Sequence, residues 1–177
     1  MIEKPFKILT YIFSIVMVAL IVINMNFVMF ANLPFEQVIS NSLLSLTAIF
    51  AIAYALVGCT KEKGAKYYHL FMISYSITML LLIFFNRARA PFSIFFNLII
   101  YGCLCVLSAA QDLGKSKSII LASTVLALSV VTLFFNFNNA TQTFYATFCR
   151  ILRLFISATT LLMVLAKYRD KDIRNTI

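Results

Sequence analysis

Runs of about twenty apolar residues recur from one end of this chain to the other. A helix of that length, rising 1.5 Å per residue, spans the roughly 30 Å hydrocarbon core of a bilayer. The runs cover approximately residues 6–30, 38–59, 67–85, 92–110, 118–137 and 144–166. The stretches between them are too short to form a separate soluble domain. The sequence therefore predicts one all-α domain, residues 1–177, which is a polytopic membrane protein with a bundle of six transmembrane helices.

Composition and the first apolar run agree with membrane embedding. Hydrophobic residues make up 62% of the chain and charged residues 12%, whereas soluble domains are nearer one half and one quarter. The first run is longer than the roughly 7–15 apolar residues of a signal peptide, and no small-residue cleavage motif closes it. We expect it to be retained as a span, with Asn24 and Asn26 near its far end, where headgroups and water reach them.

Basic residues are distributed unevenly between the two sides of the predicted bundle. Six spans place both termini on one side, together with the loops at 61–66 and 115–117, and that side carries eleven Lys or Arg. The opposite loops carry only Arg87 and Arg89. The positive-inside rule makes the richer side cytoplasmic, which predicts an N-in/C-in protein of the plasma or bacterial inner membrane. The same distribution accounts for the net charge of +9 without a nucleic-acid partner.

Short sequence echoes recur at a spacing of fifty residues. Phe84-Phe85-Asn86 resembles Phe134-Phe135-Asn136, and Gly64 is followed fifty residues later by Gly114. These echoes favour three helical hairpins, approximately residues 6–60, 66–111 and 117–167, such as occur in transporters with parallel repeats. An even series of spans with short loops gives the same appearance without duplication, so both interpretations stand at this point.

The sixth run carries two arginines well inside its apolar sequence. Arg150, Arg153, Ser157 and Thr160 lie at i, i+3, i+7 and i+10, on one face of a helix. A charge at the bilayer centre costs roughly 2.5–3.5 kcal/mol on insertion scales, so such residues usually face the bundle interior or a water-filled cavity. We therefore expect the rest of the chain to pack around this polar face.

No Asp or Glu lies inside any apolar run, so the two arginines lack an intramembrane carboxylate partner. Guanidinium groups without such partners are suited to bind a small anionic solute or a lipid headgroup. Alternatively, Arg150 reaches the outer headgroups while Arg153 bonds to neighbouring Ser, Thr or Asn side chains. The predicted ligand-binding residues are Arg150, Arg153, Ser157, Thr160, Arg87 and Arg89.

Metal and cofactor sites are not predicted. The four cysteines lie within or at the ends of apolar runs and lack the convergent Cys/His spacing of a zinc site. We interpret them as small packing residues. Cys59 and His69 lie ten residues apart. Because a histidine can activate a cysteine nucleophile, this pair suggests a further hypothesis, an intramembrane thiol enzyme.

Three functions follow from these patterns. The leading hypothesis is a non-enzymatic membrane protein that binds a small anion or lipid headgroup as part of a transport or permease system. The second is a membrane subunit, immunity protein or sensor that acts through contacts with another membrane protein or within a homo-oligomer. The third is the Cys59–His69 enzyme. Membrane lipid surrounds the protein in each case.

Overall fold

The computed structural model describes residues 3–30, 35–57, 61–85, 91–109, 113–135 and 144–174. Over those ranges the protein is all-helical and consists of six helices. This confirms the predicted all-α class and the number of helices within the described ranges. The helices are α1 (Glu3–Phe30), α2 (Phe35–Val57), α3 (Lys61–Phe85), α4 (Pro91–Ala109), α5 (Lys115–Phe135) and α6 (Phe144–Arg174).

Several helices extend beyond the apolar runs that predicted them. α3 begins at Lys61, within the predicted loop 61–66, and α6 continues to Arg174, past the end of the predicted run at 166. The expectation of a loop at 61–66 was wrong, whereas a helix that continues beyond 166 is compatible with the predicted span. Both extensions have the same physical reason. Hydropathy marks where the surroundings become aqueous, whereas Lys, Glu, Ala and Arg are all good helix formers and continue the backbone hydrogen bonds past that point.

Three helices contain segments that are long and apolar enough to cross a membrane. They are Tyr67–Phe84 in α3, Lys115–Phe134 in α5 and Phe148–Leu165 in α6. The apolar segments described in the other three helices are shorter: Ile15–Asn26, Val38–Tyr54 and Ile94–Ala109. Length and composition therefore support membrane crossing most directly for α3, α5 and α6.

The helices are arranged around α6. Each helix packs against the next one in the sequence, and α6 also packs against α1 and α2. Side chains of α6 reach α3 and α4 as well, through Ser157 to Tyr75 and through Arg153 to Asn97. None of the described side chains of α6 is exposed, whereas each of the other five helices exposes large apolar residues. The other described helices thus pack around the sixth run, as expected.

Several polar side chains are buried inside this bundle beside its apolar core, and large apolar side chains cover much of its outside. Asn24 and Thr47 are fully buried, whereas Ile15 is 70% exposed and Phe35 is 76% exposed. A water-soluble protein rarely exposes a large continuous apolar surface, while hydrocarbon is a favourable environment for one. Asn24 was expected within reach of headgroups, and that expectation was wrong because its side chain is turned into the bundle, toward α2.

Candidate functional site

The guanidinium of Arg153 lies at the centre of the bundle, where α4, α5 and α6 meet. The residue is only 9% exposed. Its Nη1 donates to Oδ1 of Asn97 on α4 at 3.1 Å, and its Nη2 donates to Oγ1 of Thr132 on α5. Asn97 and Thr132 are themselves buried. Arg153 therefore ties three helices together through neutral oxygen atoms.

The third nitrogen of this guanidinium has no partner. Nε of Arg153 is buried and makes no hydrogen bond within the described ranges. No carboxylate among the residues that the structure describes pairs with Arg153 either, and both of its acceptors are uncharged. Buried charges in proteins are normally paired, because desolvation of an ion costs several kcal/mol. The site thus combines an uncompensated positive charge with an unused N–H donor.

A cluster of hydroxyl groups adjoins this site one helical turn along α6. Oγ of Ser157 lies 2.7 Å from the hydroxyl of Tyr75 on α3 and 2.7 Å from Oγ of Ser129 on α5. It also donates to the backbone oxygen of Arg153 at 3.0 Å. A serine hydroxyl carries one hydrogen atom, so Ser157 accepts from Tyr75 while donating to Arg153. Ser157 thus donates within α6 and contacts α3 and α5 through the oxygen of its hydroxyl group.

The other predicted ligand-binding residues have different positions. Arg150 is half-buried and lies one turn nearer the start of α6 than Arg153. Thr160 is fully buried and donates to the backbone oxygen of Ile156 at 3.0 Å, within its own helix. Arg87 and Arg89 lie outside the described residues. The structure therefore brings Arg153 and Ser157 into one cluster and leaves Thr160 bonded along the helix.

Four further residues of the site were not predicted from the sequence: Asn97, Thr132, Tyr75 and Ser129. Asn97 had a usable signal, because it is the only carboxamide in the apolar run 92–110, and polar residues inside spans usually contact another helix. The other three are hydroxyl residues of a kind that is common throughout this chain. Nothing in their spacing distinguishes them from neighbours that bond only within a helix.

A second polar cluster joins α1, α2 and α6 near the first turns of α6. Nδ2 of Asn24 donates to the backbone oxygen of Asn41 at 3.0 Å and to Oγ of Ser45 at 2.7 Å. The thiol of Cys149 donates to Oδ1 of Asn41, with Sγ at 3.3 Å. These groups satisfy one another. Cys149 here serves as a packing residue with a weak hydrogen bond, as predicted.

The residues of the hypothetical thiol enzyme are only partly described. His69 packs edge-on against the ring of Tyr68, with ring centroids 5.6 Å apart, while Cys59 lies outside the described residues. Within the described ranges, no group of three His, Cys, Asp or Glu residues is placed to hold a metal ion. Cys103 and Cys105 form no disulfide there.

Comparison with known proteins gives no family, since no family model, curated protein or solved structure matches this chain.

Proposed function

We propose that this chain is a non-enzymatic integral membrane protein that binds a small anion at Arg153, as part of a transport or permease system. In this proposal it crosses the plasma or bacterial inner membrane six times, with both termini cytoplasmic. One observation carries the proposal: a guanidinium at the bundle centre is buried, has only neutral partners, and keeps Nε–H without an acceptor.

The electrostatics of this site favour an anionic ligand. An arginine inside a bilayer costs roughly 2.5–3.5 kcal/mol on insertion scales, and two neutral acceptors do not cancel its charge. An anion would both balance the charge and accept from Nε–H. Hydrogen bonds between charged groups are about twice as strong as neutral ones.

The geometry of the unused donor favours an oxyanion over a halide. Nε–H and an Nη–H on the same edge of a guanidinium point in parallel, and together they match two oxygen atoms of a carboxylate, bicarbonate or phosphate group. A free oxyanion and the phosphate of a lipid headgroup share this chemistry. Both are therefore candidate ligands, and the titration described below distinguishes between them.

The position of Arg153 along α6 supports access from the outer side. Nine residues separate it from the start of the helix at Phe144, which is about 14 Å. Half-buried Arg150 lies between that end and Arg153, one turn from Arg153. In the N-in/C-in topology, the arginine end of α6 is the outer end.

Binding is tested with the purified chain in nanodiscs of phosphatidylcholine alone. We expect calorimetric titration with inorganic phosphate, bicarbonate or acetate to show saturable binding, which Arg153→Gln removes. Lys117→Gln, which removes one exposed positive charge on α5, is the matched control and should bind as the wild type does. If phosphatidylglycerol binds to the wild type but not to Arg153→Gln, and none of the free anions binds, the ligand is a lipid headgroup. Equal behaviour of the wild type and Arg153→Gln toward every anion would refute the site.

A different observation favours a second candidate, a subunit of a membrane complex. Both terminal nitrogens of Arg153 are bonded within the chain, as expected if the arginine only holds helices together. In that case a defined partner copurifies in stoichiometric amount in mild detergent, and Arg153→Gln weakens the complex without any effect of anions. Binding of a free anion by the isolated chain argues for the first candidate.

A further inference from the structure

One face of α1 is exposed between Ile12 and Met29. α1 packs against α2 and α6, and its opposite side carries side chains such as Ile15, 70% exposed, and Met29, 75% exposed. The exposed residues include a series with spacings of three and four: Ile12, Ile15, Ala19, Val22, Asn26 and Met29. Alternating spacings of three and four are the heptad pattern of a helix seam that pairs with another helix.

Asn26 is the polar member of this series. Eleven residues make close to three turns of helix, so Asn26 projects in nearly the same direction as Ile15, at the middle of the exposed face. Its Nδ2 donates to the backbone oxygen of Val22 at 2.8 Å, within its own helix. Its carbonyl oxygen accepts no hydrogen bond in the part of the chain that is described.

The contrast with Asn24 makes this position unusual. Asn24, two residues earlier, is fully buried and bonds to Asn41 and Ser45 on α2. The bundle therefore satisfies one carboxamide of α1 and leaves the other on its apolar exterior. In a bilayer, a carboxamide on a helix surface is stabilised when it bonds to a polar group on another helix.

We propose that this face of α1 is the interface of a parallel homodimer, in which Asn26 of one copy bonds to Asn26 of the other. A carboxamide carries both a donor and an acceptor, so two copies related by a twofold axis exchange two identical hydrogen bonds. The pair of Asn26 side chains satisfies itself, so no other polar group is needed at this level of the interface. A second copy is thus the occupant whose hydrogen-bonding groups complement this face at the same level of the membrane.

Shape along the face also fits two copies of one helix. Ala19 lies on the seam two turns before Asn26, and a small residue there lets two backbones approach closely. From Ile12 to Met29 the seam is about 26 Å long, which is most of the thickness of a bilayer core. The dimer rests on the membrane embedding proposed above and not on the anion site, since Arg153 lies inside the bundle.

Dimerisation is tested with the full chain in vesicles of phosphatidylcholine and phosphatidylglycerol. Copies labelled with a donor or an acceptor fluorophore are mixed, and energy transfer is followed as the lipid-to-protein ratio rises. Alkaline carbonate extraction first confirms that each variant is inserted, so a failure of insertion is seen separately. We expect the wild type to dimerise and Asn26→Leu to weaken the dimer by about 3- to 30-fold for each of the two interhelical hydrogen bonds that it removes.

Three further variants isolate the interface. Asn26→Gln keeps a carboxamide and should restore dimerisation. Ala19→Leu should weaken the dimer by separating the backbones, whereas Ala127→Leu makes the same change at an exposed position of α5 and should have no effect. In a cysteine-free background, Ile15→Cys should form a disulfide-linked dimer and Ile77→Cys, exposed on α3, should not.

Two results overturn the proposal. The first is a wild type that is monomeric at every protein density, as expected if lipid or a different protein covers α1. The second is a dimer in which Asn26→Leu and Ala19→Leu behave like Ala127→Leu, since the copies would then meet through another face.

Discussion

Arg153 on α6 donates a hydrogen bond to the carboxamide oxygen of Asn97 on α4 across 3.1 Å. The acceptor is neutral at a position where a buried arginine would ordinarily meet a carboxylate. A carboxylate differs from a carboxamide by one group of nearly equal size. The contact therefore offers a direct way to supply the missing negative charge from within the protein.

Asn97→Asp should replace a bound anion with an internal ion pair. If the wild type binds phosphate at Arg153 as proposed, phosphate at a hundred times its Kd should stabilise the fold by about 2.7 kcal/mol, and in Asn97→Asp this gain should disappear. Thermal unfolding in nanodiscs, with and without phosphate, measures the difference. Asn41→Asp, the same change in the other polar cluster, is the control and should keep the response to phosphate. A full phosphate response in Asn97→Asp would mean that the anion does not meet Arg153.

The size of the residue at position 153 should matter more for stability than its charge when no anion is present. Arg153→Met fills most of the same volume and removes a buried charge, whose desolvation costs several kcal/mol. Both variants leave Asn97 and Thr132 without this donor, at about 1–3 kcal/mol for each acceptor, but only Arg153→Ala also leaves a cavity beside them. We expect the Ala variant to unfold in denaturing detergent well before the Met variant. Equal stabilities would contradict the burial of this side chain.

The interior position of Arg153 and the kind of its partners, Asn and Thr side chains, could be predicted from the sequence, but the individual partner residues could not. A charge in an apolar run must avoid lipid whatever the fold, so the energetic cost alone turns this residue inward. The partners depend on how α4 and α5 are rotated about their axes. Their apolar runs are too uniform to fix that rotation, because lipid and bundle interior are both apolar. Lys61 shows the same limit for helix ends, since hydropathy does not report where backbone hydrogen bonding stops.

Tyr75→Phe should weaken the contact between α3 and α6 without disturbing packing. The substitution removes only the hydroxyl that lies 2.7 Å from Ser157, and such hydrogen bonds between membrane helices contribute about 0.6 kcal/mol on average and up to about 1.7. Unfolding in denaturing detergent should show a loss of that size. Tyr67→Phe, on the same helix and without a hydrogen bond among the described residues, should show none. A loss shared by both variants would point to a general effect of tyrosine in α3.

The proposed N-in/C-in topology predicts opposite accessibility for two loops. In a cysteine-free background, Ser116→Cys at the start of α5 should be protected from a membrane-impermeant maleimide in intact cells and labelled after permeabilisation. Thr141→Cys, between the fifth and sixth runs, should be labelled in intact cells, because six crossings place that loop outside. Labelling of both positions from one side would rule out a crossing by α5.

Leu152→Ala and Leu98→Ala compare the same truncation inside the bundle and on its outer surface. Leu152 on α6 is fully buried and Leu98 on α4 is more than half exposed. Lipid is as apolar as leucine, so the transfer part of the usual cost is largely absent in a membrane. The cavity left at Leu152 remains, and at 24 cal/mol per Å³ it costs about 2 kcal/mol, whereas lipid fills the space at Leu98. Unfolding of the two variants in bicelles should therefore differ by about that amount, and a larger loss at Leu98 would mean that α4 presents its other face to the lipid.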